Sequence, residues 1–258
     1  MIFIFFIGSV FGWVLELLFR RFHSPEKKWI NPGFLMGPCL PIYGFGLCTL
    51  YLLAGLEKYI KADSGAVVKI ILFAVMALTM TLIEYIAGLI FVKGLKTKLW
   101  DYSDRKFNLQ GIICLEFSII WALLSVIYYF FIHGHLERLV RWYGKNPQAS
   151  FFIGIFFGIF AVDVVSSFKI VARIKQFADE NGVLVRYEEL KAAIHRTAVE
   201  QKKKYRFLRP FGGDEALREH LTKYLEHIKE RGQEIDRKYK SITTKSGSGE
   251  KKGSGGNK

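Results

Sequence analysis

The chain has 258 residues, of which 51% are hydrophobic, and it carries a formal charge of +14. The two properties separate near residue 172: 21 of the 37 Lys and Arg, and 13 of the 23 Asp and Glu, lie beyond it. Signs are mixed throughout that basic part and no recognition motif occurs, which argues against nucleic acid as a partner and for the cytosolic face of a bilayer.

In chain order, five apolar stretches approach the roughly 20 residues that a helix needs to cross a bilayer core. They predict spans over 1–19, 34–56, 67–92, 110–132 and 150–172. The expected fold is therefore all-α: a polytopic membrane protein with a five-span domain (1–172), a cytosolic helical tail (173–240) and a disordered, tag-like end (241–258). The first stretch has no basic leader and no small-residue cleavage site, so it reads as a retained span rather than a signal peptide. In it, Gly8, Gly12 and Glu16 recur one turn apart, with Arg20 four residues beyond Glu16, the favourable order for an ion pair on one helix.

The second stretch opens with "NPGFLMGPCLPIYGFG" (31–46), which holds three Pro and four Gly. An interrupted span is tolerated only where the freed backbone groups face protein or water, and such interruptions mark binding sites in many transporters. The third stretch carries Glu84 on a stripe with Ala77, Thr81 and Gly88. The connection "WDYSDRKFNLQG" (100–111) offers Trp100, Tyr102 and Phe107 to the headgroup level, and Asn108 as a cap for the fourth helix. Asp101 and Asp104 form a DxxD, which on a helix would aim two carboxylates at a magnesium ion. The plainer expectation is a capped loop with Arg105 bridging the acids. The fourth stretch carries Glu116, and the fifth groups Asp163, Ser166 and Ser167 on one face while Gly154 and Gly158 lie on another.

Loop basicity orients the spans. Arg20, Arg21, Lys27 and Lys28, then Lys93, Lys96, Lys98, Arg105 and Lys106, and then the tail all fall on one side, which predicts an outside N-terminus and a cytosolic C-terminus in the cytoplasmic membrane. At about 1.5 Å per residue, Glu16 lies roughly 6 Å below the cytosolic boundary, Glu116 roughly 9 Å, and Glu84 and Asp163 roughly 12–13 Å. Insertion scales put a mid-span acid at about 2.5–3.5 kcal/mol, so these four must be protonated, hydrated, paired across helices or neutralised by a cation. Similar depth on four helices predicts one shared polar cavity. Cys39, Cys48 and Cys114 all fall in spans, with no metal-ligand spacing, and read as free packing residues. Nothing calls for a cofactor or a bound metal.

The strings "GFLMGPCLPIYGFG" and "WDYSDRKFNLQGIICLEFSIIW" resemble the two signature stretches of the bacterial family of putative ABC-transporter permeases, type IV (CmpB-type), over roughly 1–172. The resemblance carries over Gly37, Pro38, Pro41, Tyr43 and Gly44 from the first. From the second come Trp100, Asp101, Tyr102, Ser103, Phe107, Asn108, Gly111, Glu116 and Ser118. It implies an integral membrane protein concerned with transport.

The tail is helical by pattern. The last span is expected to run on to a stop at Gly182, followed by helices over about 185–207 and from Asp214. The apolar stripe Leu217, Leu221, Tyr224, Leu225, Ile228 and Ile235 needs a partner, whether the preceding helix, a second copy of the chain or another protein. Lys202, Lys203, Lys204, Arg206 and Arg209 suit anionic lipid. No GxxxxGK[ST] occurs, so the chain does not carry the usual phosphate-binding loop of ATPases. The leading expectation is a permease-type subunit moving protons or a cationic or amphipathic solute along Glu84, Glu116 and Asp163, energised by a separate cytosolic ATPase. The alternatives are an interfacial enzyme acting on lipid or isoprenoid headgroups, with Asp101, Asp104, Glu116 and Glu16 holding a metal, and a non-catalytic adaptor that presents the tail.

Overall fold

A computed structural model describes residues 1–23, 27, 29–62, 64–200, 207–208, 210–212 and 215–230. The basic cluster at 202–206 and Arg209, the helix start at Asp214, and everything beyond 230 lie outside the described residues. The chain forms two compact units, Met1–Pro210 and Phe211–Lys258. In the second, 215–230 is helical.

In the first unit, α1 (Ile2–His23) leads through an irregular segment into α2 (Pro41–Ala54). Pro41 stands at the first turn of α2, where its missing N–H is no loss. Helix α3 (Gly65–Leu89) starts where the Ser64 side chain accepts from the Ala66 amide at 3.2 Å, and a π-helical turn over Ile90–Gly94 ends it. Two short strand pairs follow. β1 (Thr97–Lys98) pairs in parallel with β4 (Val185–Arg186), and β2 (Asn108–Leu109) pairs antiparallel with β3 (Ile113–Cys114). Helix α4 (Leu115–Ile127) passes through a second π turn (Tyr128–Ile132) into α5 (His133–Lys145). Helix α6 (Ala149–Asn181) closes on Gly182 in the left-handed region, at φ +62°, the stop expected there. Helix α7 covers Tyr187–Glu200.

Among the described residues, four helical stretches are long and apolar enough to cross a membrane: Ile2–Phe22, Gly65–Gly94, Leu115–Lys145 and Ala149–Asn181. The expected second span is different. α2 has 14 residues, about 21 Å of helix, against a bilayer core of about 30 Å. The Pro and Gly of 31–41 leave the other half as irregular chain. α2 runs back along the first half of α1: Leu40 donates its amide to the Ser9 carbonyl at 3.0 Å, and Cys48 reaches the Met1 carbonyl. The approach needs bare backbone, because a Cβ on Gly12 would fall 2.2 Å from that of Tyr43, and one on Gly44 would fall 2.2 Å from Ser9 Oγ.

Large apolar side chains cover the outside as well as the core, unlike those of a water-soluble protein. Leu78 is 72% exposed and Phe131 71%, while Ser9, Glu84, Ser125 and Ser167 are buried together with the apolar Ile4, Leu72 and Met76. Apolar residues face outward as a lipid-facing surface requires, and polar ones share the helix interfaces with apolar packing. The three cysteines are free, as expected.

Candidate functional site

The irregular segment before α2 is held by hydrogen bonds from several elements. Asn31, buried, donates to the carbonyls of Leu35 (3.0 Å) and Met36 (2.9 Å), and its Oδ1 accepts from Trp13 Nε1 at 2.7 Å. Asp163 on α6 accepts the amides of Met36 (3.0 Å) and Gly37 (2.7 Å) and the hydroxyl of Ser167 (3.0 Å). The spacing of Asp163 and Ser167, one turn apart, aims both at this segment. Ser166, the third member of the expected face, is half-buried.

Glu84 is 5% exposed. Its two oxygens are held by two neutral donors: Tyr102 Oη to Oε1 at 3.1 Å and Trp121 Nε1 to Oε2 at 2.9 Å. The Trp121 ring lies 6.4 Å from that of Tyr43. Tyr43 donates to Glu16 Oε2 at 2.9 Å, and Glu16 pairs with Arg20 at 2.8 Å, the pairing its spacing predicts. Two polar groups, Arg20–Glu16–Tyr43 and Tyr102–Glu84–Trp121, thus meet at the ring contact of Tyr43 with Trp121. Thr81, one turn before Glu84, is half-buried beside it on α3.

Glu116 stands apart from this group. At the start of α4, it is half-exposed and pairs with the equally exposed Arg105 at 3.1 Å. It opens its helix just after the 100–111 connection, so it reaches the rim rather than the interior. The fourth acid of the expected cavity is therefore a surface ion pair, of a kind worth little in itself.

The 100–111 connection is a turn-rich loop, not a helix, and this changes the roles expected of it. Asp101 accepts from Lys98 Nζ (2.9 Å) and from the Ser103 amide (3.0 Å) and hydroxyl (2.5 Å), and it meets Arg186 at 3.1 Å. Although partial burial works against it, the Ser103 and Lys98 contacts hold its carboxyl below the ordinary carboxylate range. Asp104 is exposed, so the DxxD spacing does not put two carboxylates on one face, and Arg105 turns to Glu116 rather than bridging them. No group of three or more metal-ligating side chains occurs among the described residues. Asn108 caps the loop instead of α4: it donates to the carbonyls of Ser103 and Arg105 and accepts the Gly111 amide. Gly111 sits at φ +67°, and a Cβ there would fall 2.4 Å from Ser103 Oγ. Trp100 donates to the Ile112 carbonyl, and Phe107 is 81% exposed, as a headgroup-level ring would be. Tyr102 turns inward instead. Its ring stacks on Phe117 and its hydroxyl reaches Glu84.

The contacts made by α7 were not legible as a motif. Lys191, 2% exposed, donates to the carbonyls of Asn31 (2.5 Å) and Gly33 (2.8 Å) and pairs with Glu188 at 3.1 Å. Burial pushes its pKa down to about 8 against the pull of Glu188. Glu188 also meets Arg20 at 2.5 Å, and Tyr187 donates to the Phe34 carbonyl at 3.3 Å. The only sequence signal was a lysine set among Leu190, Ala192 and Ile194 on an otherwise apolar face.

Residues 3–168 match the family model described as "Putative ABC-transporter type IV". The chain belongs to that family. The match takes in both signature stretches, the interrupted segment, Glu84, Glu116 and Asp163. With the four apolar helices, it makes the chain a multi-pass membrane protein of a transport-related family. No curated protein and no solved structure matches the chain.

Proposed function

We propose that the chain is the membrane-embedded, permease-type subunit of a transporter, moving protons or a cationic or amphipathic solute past Glu84. A separate cytosolic ATPase would supply the energy. Five crossings fit this reading: four continuous helices, and a fifth made of α2 with the irregular segment before it. So does an outside N-terminus, which sets Arg20, the 93–109 loop and α7 at the cytosolic end, where positive charge accumulates.

Glu84 carries the reading. It is an acid buried mid-span, held by two neutral donors, with no cation beside it in its hydrogen-bonded group. Such residues in membrane helices are functional by default. Tyr102 and Trp121 hold the carboxylate without fixing its charge, so a proton or a solute cation can come and go while the helices stay in place. Glu16, hydrogen-bonded to Tyr43, is the next acid towards the cytosolic end. Asp163 shapes the wall of the path, with Ser167 behind it. Glu116 lies at the mouth.

The test is Glu84→Gln, with the chain co-expressed with its genomic neighbours, in inverted membrane vesicles given ATP. Proton movement is read with a pH-sensitive dye, and cationic solute with a fluorescent lipophilic amine. The variant should insert at wild-type levels and lose the flux. Full flux in the variant, for whichever probe the wild type moves, would end the proposal.

A further inference from the structure

The segment 31–37 is held from two sides by opposite charges. From α6, the Asp163 carboxylate takes the amide hydrogens of Met36 and Gly37. From α7, the Lys191 ammonium takes the carbonyl oxygens of Asn31 and Gly33, while Tyr187 takes that of Phe34. Asp163 lies within a spanning helix and cannot leave. α7 and the strand before it are attached to the rest of their unit through polar groups, namely Lys191, Tyr187, the Glu188–Arg20 pair, the Arg186–Asp101 pair and two residues of strand pairing, beside the buried apolar Leu190, Ala192 and Ile194. It follows α6 after the Gly182 stop, so it can move while α6 stays.

A buried ammonium is a poor choice for permanent glue. Burying a charge costs several kcal/mol unless every donor is met, and well-packed apolar residues often hold a core as well or better. Lys191 is compensated here by two hydrogen bonds to carbonyls and by its ion pair with Glu188. Once α7 withdraws, the ammonium regains water, which lowers the cost of release. The carbonyls it leaves are oriented for a cation.

We propose that α7 is a latch on the interrupted span: Lys191, seated on the Asn31 and Gly33 carbonyls, holds the 31–40 segment closed, and its withdrawal opens that segment. Native thiols report on this without any transport being measured. Cys39 lies in the segment and is buried, and Cys114, also buried, lies in β3, outside the segment. Cys48→Ser removes the third thiol.

In this background, labelling by N-ethylmaleimide is followed separately at Cys39 and Cys114 by mass spectrometry, with the full-length chain in lipid nanodiscs. Lys191→Met keeps the apolar stem and removes the ammonium. It should speed labelling of Cys39 by about tenfold or more with Cys114 unchanged, as selective opening of one segment requires. Tyr187→Phe, which gives up the Phe34 bond and leaves Lys191 in place, should speed it less, by about two- to threefold. An unchanged Cys39 rate in Lys191→Met would overturn the proposal. So would a parallel rise at Cys39 and Cys114, which would mean general loosening rather than release of a latch.

Discussion

Asp163 and Glu84 are both acids at mid-span depth, yet their surroundings differ in kind. Asp163 is met by two backbone amides and a hydroxyl, Glu84 by a phenol and an indole. Backbone amides 36 and 37 are part of an irregular segment that has no helical partner for them, so Asp163 replaces hydrogen bonds that the Pro and Gly removed. Glu84 sits in an unbroken helix whose backbone needs nothing from it. One carboxylate holds up the fold. The other replaces no backbone bond, and in the proposed function it is the one that meets the proton or solute. Depth in the membrane does not separate the two roles; what each carboxylate is bonded to does.

Removing each acid in turn is the strongest test of that contrast. Asp163→Ala orphans two part-buried amides, at up to about 1–3 kcal/mol each, and should cause the largest loss of stability. Hydrogen exchange at Met36 and Gly37 would rise sharply, and unchanged protection there would erase the contrast. Gly37→Val attacks the same place from the other side. Its Cβ would stand 2.9 Å from Asp163 Oδ2, so overpacking of about 1–3 kcal/mol is expected, read by denaturant unfolding in detergent. Glu84→Gln keeps one oxygen for either donor. It should shift stability by less than about 1.5 kcal/mol while abolishing transport. A large unfolding effect would show that Glu84 too is structural.

Two pH effects are smaller and lie outside the spans. The Asp101 carboxyl is held below its ordinary value of 3.8, so its contribution is complete above that value and fades as the pH falls below it. Pepsin, which works in that acid range, should cut the 100–111 loop more readily below that pH than just above it, and Ser103→Ala should weaken the effect. Lys191 behaves in the opposite range. Its folded pKa of about 8 lies below the ordinary 10.5, so between those values the unfolded chain binds more protons and stability rises with pH. Thermal unfolding between pH 8 and 10.5 should show a gain in the wild type that is reduced in Lys191→Met.

Much of the architecture was legible in residue order. Apolar runs of spanning length marked the four continuous helices, because a helix in lipid must satisfy its own backbone and bury nothing polar outward. Gly182 announced the end of α6 through its backbone freedom, and Glu16 announced its pair with Arg20 through helical spacing. The Pro and Gly of 31–46 told that the second apolar stretch is interrupted, though not where its helix begins. Asn108, Tyr102 and Glu116 were placed amiss for a shared reason: each lies in or beside a loop, where spacing along the chain no longer sets direction.

The sequence alone determined which stretches are apolar enough to span and that Glu84 and Asp163 stand inside them, since both follow from the run of residues and from the cost of charge in hydrocarbon. Only the tertiary structure decided what those acids touch. Asp163 meets residues 126 and 127 positions away, and Lys191 meets carbonyls 158 and 160 positions away. Those partners are mostly backbone atoms, which every residue carries alike and which leave no mark in the order of side chains.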